Sequence, residues 1–310
     1  MRRSQNLAGV SPSTHAISYR PRSPLGLVVE RFWWQRRAEP SLRSEHILPT
    51  GKVQLVIALH DAPFTWSTDC RSEPAVWAGG IVHGPQSSYY LTGPKPRGAT
   101  IGVAFRPGAA GAALGVPIGE LTDRHVTLEE LWGSRGRLLH ERLAATTTPE
   151  AAFALLEAAL IARLRLPLLI HPAVAQALHP GAGEISDETT DMLSPERTVA
   201  EIQSRSGYSA KHFIALFRSA VGLTPKNYLR IRRFGGVAQL LAAGRGDDNL
   251  AALANAAGYA DQSHMTREFR ALAGVTPTAY RPAATTSAYH HVVDGPSSEI
   301  KFAVPDAGIR

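Results

Sequence analysis

Cationic side chains are concentrated in one part of this chain, and the chemistry they offer is that of gripping phosphate. Residues 198–282 hold 11 Lys and Arg against 5 Asp and Glu, whereas the remainder is nearly balanced at 22 against 21. Almost all of the formal charge of +7 therefore belongs to about a quarter of the chain. A basic block of that size is the electrostatic footprint of a surface that meets a polyanion, although a solvated basic face has the same composition. Other chemistries have thinner support. Cys70 stands alone, which excludes an internal disulfide and any multi-cysteine zinc site. Glu45, His46, His60 and His83 carry metal-ligand atoms near strand ends, but the paired His-x-His with a downstream Glu that metal-bearing barrels use is absent. No catalytic residue, metal or cofactor is expected.

The elements that must position the basic residues form an internal repeat of about 52 residues. Gly207, Tyr208, Ser209, Phe213, Phe217, Arg218, Gly222, Thr224, Pro225 and Tyr228 reappear as Gly258, Tyr259, Asp261, Met265, Phe269, Arg270, Gly274, Thr276, Pro277 and Tyr280. Each copy reads as a short helix, a glycine turn and a second helix. Thr198 with Glu201 supplies a capping box for the first short helix, and Asn249 caps its counterpart. Gly207 and Gly258 supply the positive φ of the tight turn. Ser209 and Asp261 then cap the second helices, whose apolar residues Phe213, Leu216 and Phe217, or Met265 and Phe269, share one face. The opposite face of each is free to enter a major groove. A connecting helix over residues 225–243 would span about 28 Å and hold two reading sites about one DNA turn, ~34 Å, apart. Gly235 and Gly236 in its middle read as a hinge, as a close packing contact, or as neutral drift.

Residues 258–270 (GYADQSHMTREFR) and 274–281 (GVTPTAYR), with the first copy before them, resemble the AraC/XylS family of transcription regulators. The resemblance implies a sequence-specific regulator, not an enzyme, and double-stranded DNA as partner. Carried over position by position, the base-reading residues are Gln262, Ser263, Thr266 and Arg267 in the second copy and Lys211, Ile214 and Ala215 in the first. Arg forks onto guanine and Gln pairs with adenine, whereas Ile214 and Ala215 can only pack against thymine methyls, and Lys211 suits a phosphate as well as a base. Ser209, His212, His264, Lys226, Arg230, Arg232 and Arg233 are the candidates for the DNA backbone; for the two histidines a helix-end polar role stands beside it, and for the basic four a solvated face.

The first half of the chain reads as β-rich. Apolar runs at 27–34, 53–59, 75–77 and 100–105 are separated by Gly/Pro turns, as in a small barrel or sandwich. Segments at 79–85, 102–108, 120–123 and 131–133 resemble the amino-terminal domain of one actinobacterial-style branch of the same regulators, which implies a cupin-like sensor or dimerisation unit. Trp33, Trp34, Trp66 and Trp77 are its bulky residues, as core or as pocket wall. Thr148 caps a helix with Phe153, Leu156, Leu160 and Leu164 in a stripe, to be covered by the β unit or by a second subunit.

The expected architecture is α+β: a β-barrel or cupin-like unit with appended helices over 1–180, a linker at 181–195, an all-α domain of two helix-turn-helix units joined by a linker helix at 196–282, and a disordered tail at 283–310. A small-molecule effector, a second copy of the chain and RNA polymerase are the further partners considered, and control by abundance alone is the alternative to an effector. No signal-like segment or apolar run of membrane-spanning length is present in the sequence, so the cytoplasm is the expected location and no membrane a partner.

Overall fold

Strand formation in the first half follows its β-branched and aromatic runs, some paired with the next strand in sequence, as Phe64–Ser67 with Ala75–Trp77, and others with distant ones, as Val29–Arg37 with Gly98–Phe105. A computed structural model describes residues 5–6, 14–41, 43–68, 73–166, 170–178, 199–245, 249–283 and 288–293. The described strands are β1 (Gln5–Asn6), β2 (Thr14–Tyr19), β3 (Val29–Arg37), β4 (Glu45–Ile47), β5 (Gln54–Ala58), β6 (Phe64–Ser67), β7 (Ala75–Trp77), β8 (Gly80–His83), β9 (Tyr90–Thr92), β10 (Gly98–Phe105), β11 (His125–Thr127) and β12 (His290–Val292). They form a seven-stranded sheet in the order β1-β2-β3-β10-β5-β8-β11 and a five-stranded sheet in the order β12-β4-β9-β6-β7. Central β10 pairs antiparallel with both β3 and β5 and is buried from Thr100 onward, as a strand covered on both faces must be.

One face of the large sheet carries Phe32, Leu55, Ile57, Ile101, Val103 and Phe105 into the first core. Four helices follow: α1 (Gly111–Leu114), α2 (Leu128–Trp132), α3 (Ser134–Ala144) and α4 (Pro149–Arg163). The Thr148 hydroxyl accepts from the Ala151 amide and starts α4, whose Phe153, Leu156 and Leu160 are buried in that same core. The α4 stripe is thus covered within its own domain. Trp34 joins this core, while Trp77 packs with Ala58 and Ile81 in a smaller cluster.

The second core belongs to α5 (Pro172–Leu178), α7 (Ala210–Val221), α8 (Pro225–Ala242), α9 (Leu250–Ala256) and α10 (Gln262–Ala273), with α6 (Val199–Ser206) packed against α5 and α7. Phe213, Phe217, Phe234 and Phe269 are its fully buried aromatics, each contributing on the order of 2–3 kcal/mol of burial. All three described caps expected from the repeat are formed: Ser209 accepts from His212 N, Asn249 from Ala252 N and Asp261 from His264 N. The capping box at Thr198 and the linker at 181–195 lie outside the described residues, as does Cys70.

Three expectations are corrected. Helix α5, assigned from the sequence to the first domain, packs against α6 and α7 and buries Val174 and Ala177 in the second core, because its apolar residues Ala173, Val174, Ala177 and Leu178 recur at helical spacing on one face. The tail is not structureless throughout: residues 288–293 turn back, and β12 adds to the edge of β4 with His291 opposite His46. Strands β2, β11 and β12 lie outside the span of the four apolar runs read from the sequence, 27–105, and extend the β unit beyond it.

Gly235 is a packing contact. A Cβ there would lie 2.6 Å from the Tyr289 hydroxyl but 3.5 Å from its ring carbons, so only the phenol oxygen is in the way. Tyr289 is brought there by the returning tail, whose carbonyl accepts from Leu48 N at 2.9 Å.

Gly235→Ala is accordingly expected to yield none of the ~1 kcal/mol that alanine brings to a helix interior, and to lower the melting temperature. In a Tyr289→Phe background the same substitution should raise it, a sign reversal readable in a four-protein thermal-melt cycle; equal effects in both backgrounds would remove the contact from the account. A second expectation concerns acid. Burial holds His46, His83 and His125 below the usual histidine range, His125 at about 4, so all three are neutral in the fold. The unfolded chain then binds more protons between the depressed values and about 6.5, and each group removes up to ~1.4 kcal/mol of stability per pH unit as pH falls through that window. Melts at pH 7.5 and pH 5.0 should show the loss, and His125→Asn should reduce the slope.

Candidate nucleic-acid interface

Each candidate reading helix is fixed by its buried side. On α7 the buried residues are Phe213, Phe217 and Val221, and on α10 they are Met265, Phe269, Leu272 and Ala273. The 3.6-residue period then sends the remaining positions outward. Gln262, Ser263 and Arg267 are exposed and Thr266 is half-buried; Lys211, Ile214 and Ala215 are exposed, Ile214 by 39% despite its apolar side chain. All seven sequence-expected base readers thus lie on the side of their helix opposite the core, and the repeat pairs Lys211 with Ser263, Ile214 with Thr266 and Ala215 with Arg267. Arg218 and Arg270, also exposed and also equivalent, prolong the same two stripes by one turn. In the sequence they stand out only as markers of the repeat, and their spacing of three from Ala215 and Arg267 is the signal that places them on this face.

The backbone candidates divide. Ser209 is spent on its cap, with its hydroxyl 3.4 Å from His212 N. His212 is exposed beside the Tyr208 ring, and His264 is half-buried with its ring edge-on to Tyr259 and Nε2 3.9 Å from Glu268. Lys226 is exposed at the start of α8, and Arg232 is half-buried. Arg230 and Arg233 do something else. Arg230 Nε donates to Glu268 Oε1 at 2.9 Å, tying α8 to the middle of α10. Arg233 donates to the Gly258 carbonyl at 3.0 Å and lies 4.7 Å over the Tyr259 ring. Both fasten the connecting helix to the second unit, a role without a sequence signal because the partners are 25 and 38 residues away.

The β unit meets the far ends of both reading helices. Gly222 and Gly274 close α7 and α10 with φ of 88° and 78°. Thr122 Oγ1 donates to the Gly222 carbonyl, and His46 Nδ1 donates to the Ala273 carbonyl at 2.9 Å. The four groups read from the sequence as metal-ligand atoms have other partners. Glu45, although burial alone would raise it, is held far below the carboxylate range by Lys95 and His290. His46 serves the contact above, His60 packs against Phe64, and His83 Nδ1 lies 2.6 Å from His125 Nδ1. Among the described residues no group of three His, Cys, Asp or Glu is placed to hold a metal ion, and no helix is long and apolar enough to cross a membrane.

Comparison with known proteins adds independent findings. The helix-turn-helix domain family matches residues 202–283, and a domain of unknown function matches residues 17–127. The probable transcriptional regulator LumQ of Photobacterium leiognathi is 34% identical over 89 residues, 29% of this chain and 35% of LumQ. The multiple antibiotic resistance protein MarA of Escherichia coli (strain K12) is 30% identical over 97 residues, 31% of this chain and 75% of MarA. The chain therefore spans about a third of LumQ's length and three quarters of MarA's. Among solved structures, ToxT from Vibrio cholerae O395 aligns with 86% of this chain and 96% of its own at 9% identity and a TM-score of 0.41.

Arg233→Ala removes a charged hydrogen bond and a cation–π contact, and is expected to destabilise the second unit by about 1–2 kcal/mol. A melting temperature equal to wild type, with DNA affinity lowered at every sequence alike, would return Arg233 to the phosphates.

Proposed function

The chain belongs to the AraC/XylS family of DNA-binding transcription regulators, and from that membership we propose that α7 and α10 enter two adjacent segments of major groove. The carrying observation is the exposure of repeat-equivalent residues on two helices whose opposite faces are buried in one core. Gln262, Ser263, Thr266 and Arg267 read base edges at one segment. Lys211, Ile214 and Ala215 meet the other, chiefly through thymine methyls and a phosphate. His212, His264, Lys226 and Arg232 approach the backbone, joined by Arg218 and Arg270. The DNA-binding unit is taken as residues 196–282, completed in its core by α5 and by Ala288.

The β unit is read as the modulating domain, acting through a small molecule or through self-association. Support comes from its interior: His83 and Tyr90 stack at 5.5 Å, His125 lies against Trp66 at 3.9 Å, and among the described residues buried His125 Nε2 has no hydrogen-bond partner. That ring nitrogen can take one further hydrogen bond, which a ligand entering the β unit would supply.

The test is binding of the full chain to genomic fragments it selects, measured at several salt concentrations. Affinity should fall steeply as salt rises from 50 to 200 mM, by about 10³-fold or more if six or more phosphates are neutralised. Arg267→Ala should cost about 1–3 kcal/mol at the preferred site and relax the requirement at one base pair. Salt-independent binding, or an Arg267→Ala loss equal for every sequence, would refute the assigned roles.

A further inference from the structure

Residues 84–89, the connection from β8 to β9, touch both reading helices at equivalent points. Pro85 packs on the glycine that ends α7, where a Cβ at Gly222 would lie 2.7 Å from the proline Cγ. Four residues on, Tyr89 packs on the glycine that ends α10, where a Cβ at Gly274 would lie 2.6 Å from the tyrosine Cζ. His46 stacks on the Tyr89 ring at 4.3 Å and secures the Ala273 carbonyl beside it. The Cα atoms of Pro85 and Tyr89 can stand no more than about 14 Å apart even in fully extended chain. The two helix ends are therefore held within the reach of one short loop.

That loop is stiffened by residues 118–124. Asp123 adopts φ of 54°, a left-handed conformation uncommon for a residue with a side chain and tolerated best by Asn and Asp, whose short polar groups can hydrogen-bond locally. Its carboxylate accepts from Ser87 N at 2.6 Å and from Ser87 Oγ at 2.8 Å, and its own amide donates to the Pro85 carbonyl at 3.0 Å. Gly84 N donates to the Arg124 carbonyl at 2.9 Å. The same segment grips α7 directly, through Thr122 on the Gly222 carbonyl and through Gly119 packed on the Arg218 carbonyl.

We propose that residues 84–89 and 118–124 form a brace that fixes the separation and relative angle of α7 and α10, and thereby the operator spacing the protein accepts. Asp123, Pro85 and Tyr89 are positioning residues, acting on DNA only through the helices. The inference rests on the reading that both helices enter DNA. Three hydrogen bonds at Asp123 keep the loop in the shape that meets both caps.

The experiment measures binding of the full-length protein to its selected operator and to versions with one base pair added or removed between the two contacted segments. Wild type should lose about tenfold or more in affinity on either change. Asp123→Gly should fold, because glycine adopts positive φ freely, and should accept the altered operators with a loss below about threefold while keeping its affinity for isolated single-segment contacts. Tyr89→Ala should give the same broadening from the other end. A merely structural role would lower the melting temperature and leave the spacing preference untouched, so a folded Asp123→Gly protein with the wild-type preference overturns the proposal. Wild-type protein that protects one segment only, or binds all spacings alike, refutes instead the two-helix reading beneath it.

Discussion

Ending a helix on a left-handed glycine pairs one of its orphaned carbonyls and leaves the chain there without a side chain. Both reading helices end this way: Gly222 N donates to the Arg218 carbonyl and Gly274 N to the Arg270 carbonyl, each at 2.9 Å. The bare backbone at these two turns is what the β unit docks onto, with Pro85 and Thr122 at one and Tyr89 and His46 at the other. Any larger residue at either turn would be strained by its φ and would collide with the docked ring. The contact leaves the other ends free. Each helix has 12 residues, so its start lies about 18 Å from its glycine, and Ser209, Lys211, Gln262 and Ser263 there are exposed.

A second constraint sits beside the first. Glu45 is nearly out of solvent, which by itself disfavours its charge, yet Lys95 lies 2.5 Å and His290 2.7 Å from the same oxygen. A buried carboxylate with two donors is tolerable, and with one donor removed it is costly. Since His290 belongs to β12, the charge balance of the β unit depends on residues that follow the DNA-binding unit in sequence.

Legibility in the sequence follows the range of the interaction. The repeat, its caps at Ser209, Asn249 and Asp261, the buried faces of α7 and α10 and the β-rich first half are all written in residues a few positions apart, which is where periodicity and capping act. Helix α5 is a seven-residue apolar segment with no local mark of which core it joins. Arg230 and Arg233 look like any basic pair on a helix until Glu268 and Tyr259 are brought beside them. The contact between His46 and Ala273 spans 227 residues, and no spacing rule reaches that far. The β12 strand is three residues long, too short for alternation to show, and it forms because an open edge at β4 and the carboxylate of Glu45 await it.

That late strand has a consequence for biosynthesis. Glu45 and His290 are separated by 245 residues, so the five-stranded sheet cannot be completed until the ribosome has passed residue 292. At ordinary elongation rates of about 5–20 residues per second, the β4 edge waits on the order of 10–50 seconds with its amides and carbonyls unpaired. Open strand edges of this kind recruit other chains. The nascent protein thus passes through an interval in which its first domain is nearly assembled but still sticky, and the DNA-binding unit is made during that interval. Truncation before His290 acts on this sheet as much as on the helices it follows, leaving the β4 edge open.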